Sequence, residues 1–167
     1  MQFNKNLTVL NTREIKTIRE KLIEQFGYFL EEDYAYFVTE KSRVFLVNKD
    51  IGKINQKNLI IDRVGLYFAE LMDDSSVRLS KEGSQLLWEE VQKKNEKGKE
   101  KKLKNVVELS KEEVKKYFTG ADLEKDLGTK AKFVLLHFEN DVLGCAKYKE
   151  GKILNFLPKI HRGEVII

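Results

Sequence analysis

Apolar residues at Ile15, Ile18, Leu22 and Phe26 fall three and four positions apart, the spacing that lines one face of a helix. Asn11 and Glu14, three residues apart just before this run, have the form of a capping box, and Gly27 is a natural helix end. The pattern then changes period. Residues 34–38 (YAYFV) and 44–47 (VFLV) are aromatic and β-branched runs joined through polar positions 40–43, which predicts an antiparallel hairpin. A short helix over 50–57, strands around 59–71 and 76–79, and a turn at Asp73-Asp74-Ser75 continue the unit. Ser80 opens a second helix that buries Leu86, Leu87 and Val91.

After residue 91 the pattern stops. Residues 92–105 read QKKNEKGKEKKLKN, with one apolar residue in fourteen, too few to offset the ordering of the chain. This predicts a frayed helix end and a linker, dividing the chain into an N-terminal domain (1–91), a lysine-rich linker (92–105) and a C-terminal domain (106–167). Beyond it, Ser110 and Glu113 repeat the capping-box spacing before Val114, Tyr117 and Phe118, and Gly120 ends a helix of about three turns. Short apolar runs at 133–136, 142–148 and 153–157, separated by Asn140-Asp141 and Glu150-Gly151, read as strands of a small barrel-like domain. The expected class is α+β: an N-terminal α/β unit followed by a small β-barrel, without internal repeats.

Charge sharpens this division. The chain of 167 residues carries 31 Lys+Arg and 27 Asp+Glu, a net charge of +4. By segment it is −2 over 1–91, +5 over 92–105 and +1 over 106–167. Within 143–162, Lys147, Lys149, Lys152, Lys159 and Arg162 stand against the single acid Glu150. Two short stretches therefore hold the positive excess, the local pattern expected of a polyanion-binding surface. The lysine run reads either as a solubilising linker or as a flexible electrostatic arm. The C-terminal stretch is the more specific, because Tyr148, Asn155 and Phe156 are interleaved with its cations; rings and amides contact unpaired bases while cations hold phosphates. Strand alternation offers the opposite reading, with the rings in the core and the lysines outside.

Other chemistries find little support. One cysteine, Cys145, forms no intramolecular disulfide, and with two histidines, His137 and His161, metal ligands are scarce, so no metal or cofactor is expected. Cys145 lies between Gly144 and Ala146 in a predicted strand, where a buried thiol is expected. His137 alternates with Leu136 and Phe138 and reads as a satisfied strand histidine. His161 lies in the basic tail, open to either solvent or nucleic-acid contact. Neither a Walker A pattern nor G-x-G-x-x-G occurs, which argues against nucleotide-driven chemistry. The acidic pairs Glu31-Glu32, Asp73-Asp74 and Glu112-Glu113 fall at turns and helix starts, where carboxylates collect for structural reasons. No apolar run reaches membrane-spanning length and the first ten residues are too polar for a signal peptide, so a cytoplasmic protein is expected.

The segment VVELSKEEVKKYFTGADL (106–123), followed by FVLLHFENDVLGCAKYKEGKILNFLPKIHR (133–162), resembles a PUA domain, the RNA-binding module named for pseudouridine synthases and archaeosine transglycosylases. It is most similar to the PUA-like tail of the Nol/Nop/Sun (fmu) RNA methyltransferases, at Leu143, Gly144, Lys147, Asn155, Pro158, Lys159 and Arg162; Cys145-Ala146 and Leu154 depart from that pattern. Residues 34–54 and 59–87 resemble the pre-PUA domain of the Nip-seven ribosome-biogenesis family.

The resemblance implies a non-catalytic RNA-binding protein, an accessory factor in ribosome biogenesis or in rRNA or tRNA modification, without the methyltransferase's catalytic domain or cofactor loop. RNA is the expected partner, with an RNA methyltransferase or another ribosome-assembly protein as a second. Lys147, Lys149, Lys152, Lys159 and Arg162 are the expected phosphate contacts and Asn155 the contact to a base or sugar edge, with Gly120 and Gly144 shaping the backbone of the same surface. The rival reading is a protein-interaction adaptor whose N-terminal sheet binds a partner while the basic tail is incidental. A small enzyme built around His137 is a third.

Overall fold

The computed structural model describes residues 7–53 and 65–167. Its first unit contains β1 (Leu7–Val9), α1 (Thr12–Phe26), β2 (Tyr34–Thr39), β3 (Arg43–Asn48), a 3-10 turn at Lys49–Lys53, β4 (Leu66–Leu71), β5 (Val77–Leu79) and α2 (Lys81–Glu96). The expected elements over 54–57 and 59–64 lie outside the described residues. Both termini of α1 follow their sequence signals. The Asn11 side chain accepts from the N–H groups of Arg13 and Glu14 at 2.9 and 3.1 Å, Glu14 accepts from the Asn11 N–H at 2.7 Å, and Gly27 closes the helix at φ 78°. The cap contributes about 1 kcal/mol. Burial of Ile18, Leu22 and Phe26, roughly 1.5–3 kcal/mol each, outweighs it and holds the helix on the sheet.

The sheet is a five-stranded antiparallel meander in the order β1-β2-β3-β4-β5. Helix α2 comes unusually close to it. A Cβ on Gly83 would lie 2.0 Å from the carbonyl oxygen of Phe68, so the absence of a side chain lets the helix backbone rest on β4. Gly83 and Ser84 are therefore buried with Leu87 and Val91, whereas Leu86, expected in the core, is only half-buried.

The second unit contains β6 (Val106–Glu108), α3 (Lys111–Phe118), β7 (Leu123–Glu124), β8 (Lys132–Phe138), β9 (Asp141–Lys149), β10 (Lys152–Leu154) and a 3-10 turn at Lys159–His161. Its strands form a curled half-barrel in the order β6-β8-β9-β10-β7, with β6 parallel to β8 and the other pairs antiparallel. The molecule is thus α+β, as expected. The last strand is shorter than 153–157, because past Leu154 the backbone turns to follow the hydrogen bonds of Asn155.

Strands β8 and β9 are buried on both faces, which explains the unbroken apolar run FVLL. Val134, Leu136, Ala146 and Tyr148 pack inside the half-barrel with Val114 and Tyr117 of α3. Their alternates Phe133, Leu135 and Cys145 pack into the core of the first unit, among Leu22, Phe26, Phe68 and Leu87. The two units therefore share a core, and neither sheet could be removed without exposing the other's apolar surface.

The lysine segment follows this shared surface. Helix α2 continues to Glu96, Asn95 then exchanges two hydrogen bonds with Lys101, and Leu103 packs on the first core. The Lys104 N–H donates to Phe26 O at 2.9 Å and the Asn105 amide to Gln25 O at 2.7 Å. The connection is pinned to the end of α1, with its lysine side chains directed outward at most positions. No helix among the described residues is long and apolar enough to cross a membrane.

Candidate nucleic-acid interface

The C-terminal cations reach the surface by different routes. Strand β9 meets β10 through the two-residue loop Glu150-Gly151, where both residues have positive φ (51° and 77°), the pattern of a type I′ hairpin turn. This register places Lys149 directly opposite Lys152. Like charges facing each other across a ladder are destabilising. Glu150, 3.3 Å from Lys149, and Glu124, opposite Lys152 on β7, give partial relief. Lys149 remains about half exposed, and Lys152 is exposed without an ion pair among the described residues. Lys159 stands exposed on the 3-10 turn that follows Pro158, likewise without an ion pair among the described residues.

Strand alternation sets Lys147 on the same face as Lys149, and Lys147 differs because the first unit lies against it. Its ammonium lies 5.3 Å from the centroid of the Phe133 ring and 3.7 Å from Asp74 in the β4–β5 turn. Asp74's carboxyl is held below its usual range chiefly by the hydroxyl and N–H of Ser76, with Lys147 adding to the effect. The same alternation buries Tyr148, whose hydroxyl donates to Gly128 O at 2.7 Å. Of the two rings interleaved with the cations, only Phe156 reaches the surface, and the guanidinium of Arg78 covers it at 5.1 Å.

Asn155 is the centre of a joint between the end of α3 and the tail. Its amide nitrogen donates to Tyr117 O at 2.6 Å and Ala121 O at 2.9 Å, while its oxygen accepts from the Leu157 N–H at 2.9 Å. Its own N–H donates to Asp122 at 2.8 Å. Both amide donors are thus used by the main chain, leaving none for a base or sugar edge. Arg162 belongs to the same joint: its Nε donates to Leu157 O at 3.0 Å, and its side chain lies over Gly120, where a Cβ would come within 2.7 Å of the guanidinium. Gly120 has φ 92°, so the site requires glycine both for backbone conformation and for space. Gly144, at φ 143°, lies behind this joint in the wall of a cleft between the units.

The other reactive side chains are embedded in structure. Cys145 is fully buried and its thiol is pushed up to about 12 by that burial, so it is neutral and unreactive at ordinary pH. The His137 ring stacks on Trp88 of α2 with centroids 5.1 Å apart, and its Nδ1 is 3.1 Å from Glu139 O. His161 is exposed beside the cleft. Among the described residues, no group of three His, Cys, Asp or Glu side chains converges as metal ligands.

Residues 104–162, about a third of the chain, match the family model described as the methyltransferase RsmF PUA domain. The C-terminal unit, by this match and by its half-barrel, is PUA-like. Such domains are in general RNA-binding modules, so the match supports RNA binding by this part of the molecule. No curated protein matches the chain. Of the five expected phosphate contacts, Lys149, Lys152 and Lys159 extend outward at the β9–β10 hairpin and the 3-10 turn. Lys147 is drawn toward the first unit, while Arg162, though exposed, is tied to Leu157 and packed over Gly120 at the end of its own helix. The sequence had no feature that separated the two groups, since the difference lies in which groups distant in sequence each side chain reaches.

Proposed function

We propose that the protein is a non-catalytic RNA-binding factor of the cytoplasm, accessory to rRNA or tRNA modification or to ribosome assembly, and that its PUA-type domain holds the RNA. The observation carrying this reading is the Lys149–Lys152 pair at the hairpin tip, retained against like-charge repulsion on a domain of an RNA-binding family. Lys149, Lys152 and Lys159 hold successive phosphates. Lys147, Arg162, Asn155, Gly120 and Gly144 keep the edge in shape. An RNA methyltransferase or an assembly protein is the second partner of such a factor, and the N-terminal unit offers it a surface. The test is a salt titration of RNA binding, in which each phosphate contact on a single strand adds roughly 0.7 to the slope of log K against log salt.

A second reading, the adaptor, draws on one feature of the first sheet. Phe45 and Tyr67 pack with ring centroids 5.4 Å apart on its half-buried side, where Arg43 covers Tyr67 at 5.7 Å. An adaptor would keep its protein partner through nuclease treatment and show no salt-dependent binding to RNA at physiological ionic strength.

A further inference from the structure

Between the two units lies an open cleft of about 370 Å³, within the roughly 300–1,000 Å³ range of small-molecule sites. Both units build its walls. The first contributes Tyr67, Arg78 and Lys81; the second contributes Gly144, Phe156 and His161. Arg78 links the two sides, because its guanidinium lies 5.1 Å from the Phe156 ring while bonding to Glu70. Tyr67 also donates to Glu70, at 3.3 Å. Glu82 is the one carboxylate among the described residues lining the cleft, against Lys81, Arg78 and His161. Gly144 keeps the back of the cleft open: a Cβ there would project into space whose nearest atoms are the Tyr117 hydroxyl and the Lys81 Cα, at 3.9 and 4.0 Å. The mouth is flanked by the exposed Lys159 and by Ile160, an isoleucine 87% exposed.

We propose that this cleft receives one unpaired nucleotide of the bound RNA, its base against the Tyr67, Arg78 and Phe156 surfaces and its phosphate near Lys81. The inference rests on the RNA-binding reading above and adds to it a contribution from the first unit. Aromatic and guanidinium faces accept any base, so the cleft selects single-stranded over paired RNA rather than a sequence. Its lining includes Pro158, Ile160 and His161, the neighbours of Lys159 on the 3-10 turn, so a strand held by Lys159 has an adjacent nucleotide at the cleft. An acidic peptide would also be drawn by these cations, but it would leave the Tyr67, Arg78 and Phe156 faces without a stacking partner.

The experiment measures binding of the full chain to a labelled uridine decamer, to a ribose-phosphate decamer lacking bases and to an RNA duplex. The uridine decamer should bind about tenfold more tightly than the base-free one, and Phe156→Ala should abolish that preference while leaving the base-free affinity in place. Lys81→Glu should weaken both single strands several-fold and leave the duplex unchanged. Lys81 occupies the first turn of α2, where an acidic residue is favourable for the helix, so loss of binding in this variant does not reflect unfolding. Equal affinity for the two decamers, or a preference that survives Phe156→Ala, overturns the cleft assignment. If binding of both decamers is then lost in Lys149→Glu/Lys152→Glu, the RNA-binding reading itself stands. If the wild-type chain binds none of the three RNAs, both fall. An oligoglutamate decamer that binds the cleft more tightly than the uridine decamer also overturns the assignment, in favour of a peptide.

Discussion

The joint of Asn155 and Arg162 and the edge formed by Lys149, Lys152 and Lys159 lie within the same fourteen residues of sequence, 149–162, yet their polar groups do opposite work. In the joint every donor of the Asn155 amide meets a main-chain carbonyl, and Arg162 bonds Leu157 and packs over Gly120. At the edge, Lys152 and Lys159 have no ion pair among the described residues, and Lys149 has only its neighbour Glu150. Satisfied groups inside the protein stabilise it but have little left to give a ligand. Unpaired cations on the surface contribute almost nothing to stability and can neutralise a polyanion. A basic tail in sequence is therefore two structures, one holding the other in position.

Substitutions should separate the two regions, beginning with the joint. Asn155→Ala leaves Tyr117 O and Ala121 O without their donors and the Leu157 N–H without its acceptor, at a cost of roughly 2–3 kcal/mol in denaturant unfolding. Asn155→Asp should recover only the Leu157 bond and remain destabilised. Gly120→Ala comes next, at about 1–2 kcal/mol, because alanine is strained at φ 92° and its methyl displaces Arg162. A Gly120→Ala protein as stable as wild type would show that Arg162 is not held there.

The Lys147–Asp74 pair should have a smaller effect. Asp74's folded carboxyl is depressed, first by Ser76 and then by Lys147, so its contribution is in place above the ordinary aspartate range and is lost as pH falls through the depressed value. Acid unfolding followed below about pH 4 should be steeper in wild type than in Asp74→Asn, which no longer has that carboxylate to protonate. Coincident acid transitions in the two proteins would remove the pair from the account. The smallest effect on stability belongs to the edge: Lys149→Gln/Lys152→Gln/Lys159→Gln, which removes the facing like charges without setting new acids against Glu124 and Glu150, should unfold within about 0.5 kcal/mol of wild type.

Much of the fold was legible because its signals are local. Both capping boxes, the Gly27 stop, the hairpin of β2 and β3 and the β9–β10 turn depend on residues within a few positions of one another. Strands β1, β6 and β7 escaped notice, being only two or three residues long, with pairings set by distant partners: β6 beside β8, and β7 beside β10. The shared core was partly visible in the unbroken FVLL run, which fits a strand covered on both faces. Which unit covered the second face was not, since Cys145 and Phe133 look alike in sequence whether they meet solvent or α2. Within the site, residue type found the cations but not their destinations. Lys147 and Lys149 are two residues apart on one strand face, and they diverge because Asp74 and Phe133 lie beside the first and the hairpin tip lies beyond the second.

The central claim is that the exposed edge, rather than the joint, holds RNA phosphates. The direct measurement is the salt dependence of affinity for single-stranded RNA in wild type and in the Lys149→Gln/Lys152→Gln/Lys159→Gln variant, with both proteins shown to unfold alike. If three phosphate contacts are lost, the slope of log K against log salt should flatten by about 2 and the affinity at low salt should fall by two orders of magnitude or more. An unchanged slope and affinity in a folded triple variant would contradict the account and remove the RNA from this edge.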